Sequence, residues 1–172
     1  VADYARLRRI RDFTQAKFNF RIDTVNWKQI DKDIDDVHTV MEQATNEIIY
    51  QEAPSIEALQ SIVKGWKKYL NKDYILIARS NKDDSPLGVV MAIPDFFQAF
   101  KKMRGKTDLK GLIAFAREKR RIRSVRAILQ YVLPQYQNLG VSMALYCKMF
   151  EALVNNKAEY LEAGTIMENN KQ

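Results

Sequence analysis

The stretch from Arg126 to Asn156 constrains this chain more than any other. "RAILQYVLP" is an apolar strand closed by Pro134, and "SMALYCKMFEALVNN" is an amphipathic helix. "YLEAGTIME" follows as a second strand. A strand, a helix and a strand in succession call for a crossover connection and a parallel pair, because a tight turn joins only antiparallel strands. Upstream, "YILIARS" and "LGVVMAI" flank the polar turn "NKDDSP", which reads as an antiparallel hairpin with a long loop. Both kinds of pairing therefore belong in one mixed sheet, and the fold class is α/β.

The remaining segments fit around that sheet. "VADYARLRRIRDFTQ" reads as a short basic helix, and "AKFNFRID" as a strand alternating Phe18 and Phe20 with polar neighbours. In "WKQIDKDIDDVHTVMEQATNEII", Ile30, Ile34, Val37 and Met41 recur three and four apart, as on one face of a helix. Ser55 is placed to cap a helix whose apolar face carries Ile56, Leu59, Ile62, Val63 and Trp66. "DFFQAFKKMRG", with Asp95 as its cap, and "DLKGLIAFAREKRRI" are two further helical stretches before the 126–134 strand. There is no internal repeat and no low-complexity linker.

Composition narrows the function classes. The 172 residues are 47% hydrophobic, enough to bury a core, yet no apolar run approaches the roughly 18 to 20 residues that span a bilayer. No membrane partner is expected. Cys147 is the single cysteine, which excludes an internal disulfide and fits a reducing, cytoplasmic setting. Its place beside Met149 and Phe150 suits core filling rather than nucleophilic chemistry. His38 is the only histidine and lacks partners at metal spacing, so no metal site is expected. The start at Val1 and the end in "MENNKQ" read as those of a fragment or a processed chain.

Charge is unevenly placed. Lys101 to Arg126 holds eleven Lys/Arg against Asp108 and Glu118, a local +9 within a total of +7, so the rest carries −2. Such a stretch implies an anionic partner or a solvated face. In its densest part, "REKRRIRSVR", Phe115 is the one aromatic close by, which argues against a nucleic-acid module built on stacking. A solvated face near a cofactor mouth is the favoured reading.

Gly140 is one of only six glycines, and it stands between the 126–134 strand and the helix after it. Two readings compete. It is a plain turn, or it lets a phosphate approach the unpaired N–H groups at the helix start, where the aligned peptide dipoles add positive charge. Ser142 is placed to cap that helix.

The same residues carry a resemblance. "VLPQYQNLGVSMALY" resembles the acetyl-coenzyme A motif of the GNAT (GCN5-related N-acetyltransferase) family, Gln/Arg-x-x-Gly-x-Gly/Ala, which falls here on Gln137, Asn138, Leu139, Gly140, Val141 and Ser142. Ser142 departs from the small last residue. "PLGVVMAIPDFFQAFKKMRG" and "LEAGTIMENN" resemble flanking segments of a bacterial GNAT-like subgroup, so the likeness covers about residues 17 to 172.

The resemblance implies a GNAT-like three-layer sandwich with a mixed central sheet, incomplete at the C-terminus. Its expected parts are an N-terminal helical extension at 1–16, the domain at 17–172 and a basic helical insertion at about 95–124. It implies transfer of an acetyl group from acetyl-CoA, or another acyl-CoA, to an unidentified amine. The pantetheine arm is expected against Val132 and Leu133, the pyrophosphate on the amides from Asn138 to Met143, and Asn170 beside the cofactor. A carboxylate base on the 126–134 strand is missing, since the strand offers only Gln130 in its place, and Glu168 is the candidate left, with Glu162 on the same side. Tyr131, Tyr136 and Tyr146 are either acceptor-pocket or packing residues. A homodimer is compatible with this reading. Three rival readings stay open: a non-catalytic acyl-CoA sensor, a nucleic-acid binder using the basic insertion, and a structural part of a longer protein.

Overall fold

The computed structural model describes residues 2–46, 51–103 and 108–164. Its elements in chain order are α1 (Ala2–Phe18), β1 (Phe20–Thr24), α2 (Ile30–Thr45), α3 (Ile56–Trp66), β2 (Ile75–Ser80), β3 (Pro86–Pro94), α4 (Phe97–Met103), α5 (Leu109–Lys119), β4 (Ser124–Val132), α6 (Val141–Asn155) and β5 (Tyr160–Glu162). Short 3-10 turns precede β2 (Lys72–Tyr74) and follow β4 (Pro134–Tyr136).

The five strands lie in sequence order, β1-β2-β3-β4-β5. The first three pairings are antiparallel, and β4–β5 is parallel, with α6 as the crossover. The mixed sheet read from the sequence is thus the sheet observed. Alternation sorts the β2 side chains onto two faces. Leu76 and Ala78 join Val90, Val132, Leu145 and Met149 in the core beneath α6. Ile75 and Ile77 join Val89 and Val40 in the core beneath α2. Helices on both faces complete the α/β sandwich expected from the resemblance.

Local chemistry starts the helices where the sequence marks them. Ser55 Oγ accepts the Ala58 N–H at 3.3 Å, and Asp108 Oδ1 accepts the Gly111 N–H at 2.8 Å. Asp95 Oδ1 accepts the Phe97 N–H at 3.2 Å. Several boundaries moved: α1 continues through Phe18, so the first strand begins only at Phe20, α2 begins at Ile30, α3 ends at Trp66 and β4 begins at Ser124. The last strand, expected over 160–168, covers Tyr160–Glu162, with Ala163 and Gly164 already outside it. The apolar pattern of α3 does not become a core face. None of its residues is buried, and Ile62 and Trp66 remain 49% and 43% exposed.

Two charge clusters tie helices to this frame. Arg79, on β2, is buried and bonds Asp33 Oδ1 at 2.6 Å and Asp36, both on α2. Asp33 Oδ2 also accepts the Asn26 N–H at 2.6 Å, which fixes the loop into α2. On the other face Glu151 of α6 pairs with Arg8 (3.0 Å) and Arg11 (2.6 Å) of α1. Burial alone would raise the Glu151 carboxyl, but hydrogen bonding and attraction from Arg11 hold it below its usual range.

Candidate functional site

β4 reaches the sequence-predicted site by an unusual route along its length. Met91 pairs with Leu129 and Ala92 with Ala127, so Ile128 has no partner on β3 and forms a bulge. On the other edge, the described pairing with β5 covers only Ser124 to Arg126. Beyond the bulge, the Leu133 N–H donates to Leu87 O at 2.9 Å. By antiparallel alternation, the N–H and C=O groups of Gln130 and Val132 then face away from β3. Among the described residues no strand pairs with that edge.

The chain leaves β4 through the Pro134–Tyr136 turn and enters α6 by two left-handed residues, Asn138 (φ +61°) and Gly140 (φ +78°). Gly140 is the residue before the helix, and no side chain caps it. This corrects the expected role of Ser142, which lies inside the first turn instead. The first backbone bond into the helix is Ala144 N–H to Gly140 O, at 3.0 Å. Among the described residues, the amides of Asn138, Leu139, Gly140, Val141, Ser142 and Met143 donate no hydrogen bond of good geometry. They are the amides assigned above to a pyrophosphate.

Gly140 also has a structural reason to be glycine. Its positive φ disfavours a side chain, and a Cβ there would stand 2.9 Å from Thr14 Cγ2 on α1. The turn reading and the phosphate reading are therefore compatible, and the glycine alone does not separate them.

Other predicted residues fall out as follows. Val132 is fully buried and Leu133 is 5% exposed, with its N–H already engaged by Leu87. The Leu133 N–H is therefore engaged on the β3 side. Gln137 Nε2 donates to Val132 O across a long 3.5 Å. Val141 sits in the core at 1% exposure, whereas Met143 is 46% exposed. Tyr131 OH donates to Gln51 Oε1 at 3.0 Å, and burial raises its pKa. Tyr131 and Tyr136 pack against the core beneath α2. Cys147 is buried, its Sγ donates to Leu7 O at 3.5 Å, and burial pushes its thiol up, as suits a packing residue. Glu162 pairs with Arg126 at 2.8 Å. Glu168 and Asn170 lie outside the described residues.

Two features escaped the sequence. Gln130, noted above only for lacking a charge, has its Oε1 buried with no hydrogen-bond partner among the described residues. Burying an acceptor in that state costs about 1 to 3 kcal/mol unless a ligand or water supplies a donor. The basic segment is also not near the α6 N-terminus. Arg120 and Arg123 stand at the start of β4, and α6 begins beyond its other end. Eight residue steps at about 3.3 Å put the two ends of the strand about 26 Å apart. The placement beside a cofactor mouth at the start of α6 is corrected accordingly.

No family model and no curated protein matches the sequence. Solved structures do match the fold. A GNAT family acetyltransferase from Brucella melitensis in complex with acetyl-CoA aligns with a TM-score of 0.58 at 17% identity, covering 88% of this chain and 79% of that one. An N-acetyltransferase from Staphylococcus aureus Mu50 gives 0.58 at 11% identity over 88% of this chain and 76% of its own. A ribosomal-protein-alanine N-acetyltransferase from Brucella melitensis gives 0.54 at 12% identity over 87% and 76%.

Proposed function

This chain has the fold of the GNAT acetyltransferases, and on that premise we propose that it is an acyl-CoA-dependent N-acyltransferase, moving an acetyl group from acetyl-CoA to an amine. The observation that carries the reading is the run of amides from Asn138 to Met143 that donate no hydrogen bond of good geometry among the described residues, at the same end of β4 as its unpaired edge. Those amides and the α6 dipole hold a diphosphate. The free N–H and C=O groups at Gln130 take the amide-containing arm as a neighbouring strand would. The bulge at Ile128 frees backbone from β3 where a thioester carbonyl would need a donor.

In the reaction the amine nitrogen attacks the thioester carbon, the C–N bond forms, and the C–S bond breaks. The thiolate leaves and takes up the proton shed by the amine. A neutral amine is required first, and a lysine amine titrates near 10.4, so an acceptor for that proton is needed. Glu168 is the proposed base and Asn170 a proposed cofactor contact. Gln130 cannot ionise, and this favours the second reading, an acyl-CoA sensor without turnover. The proposed setting is cytoplasmic, and no described helix is long and apolar enough to cross a membrane.

Thermal unfolding with and without acetyl-CoA tests the binding half. A hundredfold excess over Kd should add about 2.7 kcal/mol of stability. Ser142→Glu puts a carboxylate among the α6 amides, where it favours the helix but repels a diphosphate. The variant should fold normally and lose the acetyl-CoA effect. Equal stabilisation of both proteins would remove the phosphate seat, and so would the absence of any effect in the wild type. Thiol release with a panel of amines then separates enzyme from sensor.

A further inference from the structure

At the start of β4, far from the α6 amides, two cavities adjoin. One, of about 180 Å³, is walled by Trp66, Tyr69, Phe96, Phe100, Leu112 and Phe115. The other, of about 220 Å³, is lined by Asn71, Lys119, Arg120, Arg123, Ser124 and Asn156 among others. Phe96 belongs to both walls and is itself buried, so it forms the partition. Lys119 joins the two chemically: it lines the polar cavity, and its Nζ lies 4.6 Å from the Tyr69 ring centre.

The halves differ sharply in what they can hold. Most of the aromatic rings pack edge-on or tilted and Phe100 stacks on Phe115, with centroids 5.4 to 6.5 Å apart, so the apolar half is a built cluster of side chains. Leu112 and Phe100 on its rim remain 53% and 46% exposed, which leaves apolar surface for a ligand to cover. In the polar half, Lys119, Arg120 and Arg123 form no ion pair among the described residues. Asn71 Nδ2 donates to Asn156 Oδ1 at 3.1 Å, and Asn156 Nδ2 donates to Asp73 Oδ2 at 3.3 Å, so both amides are held in place. Asp73 itself does not line the cavity. Lys119 Nζ also donates to Lys68 O at 3.3 Å. Two arginines and a lysine without counter-ions among the described residues, beside an apolar wall, match a carboxylate or phosphate.

We infer that the paired cavities form a binding site for an amphiphilic anion, with an aliphatic or aromatic group in the Trp66–Phe115 half and a carboxylate or phosphate on Arg120, Arg123 and Lys119. The site owes nothing to the α6 amides, so it stands or falls separately from the acyltransferase reading.

Octanoate, octyl phosphate, octanol and inorganic phosphate are titrated into the full chain carrying Trp27→Phe. Trp66 emission reports the apolar half, and calorimetry provides an independent affinity. Octanoate or octyl phosphate should bind about tenfold or more tighter than both octanol and inorganic phosphate. The tighter of the two identifies the head group, and either preference supports the site. Replacing exposed Arg120 and Arg123 by alanine should abolish the preference over octanol. Phe100→Ser should weaken octanoate and octanol alike. Equal affinity for octanoate and octanol, inorganic phosphate binding as tightly as octyl phosphate, or no binding at all would overturn the inference.

Discussion

Thr14 Cγ2 on α1 lies 2.9 Å from the point that a Cβ on Gly140 would occupy, so the first helix of the chain reads the one turn that leads into α6. Thr14 is itself fixed, since its hydroxyl donates to Ile10 O at 2.8 Å. The relationship separates two costs of a side chain at 140: the left-handed backbone, and the methyl opposite.

Gly140→Ala should therefore destabilise by about 2 kcal/mol in urea unfolding. Thr14→Ser removes the methyl and keeps the hydroxyl. In that background the Gly140→Ala cost should fall to about 1 kcal/mol, the part owed to φ alone. An unchanged cost would mean that α1 does not press on this turn.

Arg79 is the buried counter-ion of Asp33 and Asp36. Arg79→Met leaves two carboxylates facing a methionine, with Asp33 almost fully enclosed. Removing one partner of a buried ion cluster costs about 3 kcal/mol or more. Replacing Asp33 and Asp36 by asparagine in the same chain should recover part of that loss, as chemical denaturation would show.

Acid should weaken the fold over a defined range. Hydrogen bonds from Lys32, then Arg21, lower the Asp84 carboxyl to about 2, and Glu151 is also lowered. A carboxyl depressed in the folded state binds more protons when unfolded. Its stabilisation is complete above the ordinary carboxylate range near 4 and is lost as pH falls towards 2. Asp84→Asn should flatten that slope and leave stability at pH 2 nearly unchanged. Asp84 is well exposed, so its share is small and salt-sensitive.

Gln130 offers a test that separates stability from function. Its Oε1 is buried without a partner among the described residues, so Gln130→Leu should raise the stability of the free protein by about 1 kcal/mol. If that oxygen receives a donor from the acyl-CoA arm or the amine, the same change should weaken acetyl-CoA binding or slow thiol release. A variant that is stabilised and fully active would assign Gln130 to packing alone.

Much of the architecture was legible because it rests on local pattern. Pro134, the apolar run before it and the amphipathic run after Gly140 define β4 and α6 without reference to any neighbour. Ser55 and Asp95 act on amides two or three residues away, so their roles also survive translation into three dimensions. α3 went the other way. Its Ile62 and Trp66 have the spacing of a core stripe, yet among the described residues both stay nearly half exposed, and periodicity says which residues share a face but not what the face meets.

Sequence alone determined the order of strands and helices, the glycine turn at Gly140, and the concentration of positive charge between Lys101 and Arg126. Each is a property of a short stretch of chain. Tertiary structure decided that Thr14 abuts Gly140, that Gln130 buries an acceptor unmet among the described residues, and that Arg120 and Arg123 lie at the opposite end of β4 from α6. Those facts depend on segments far apart in the chain, and only burial of the shared core brings such segments to a fixed distance.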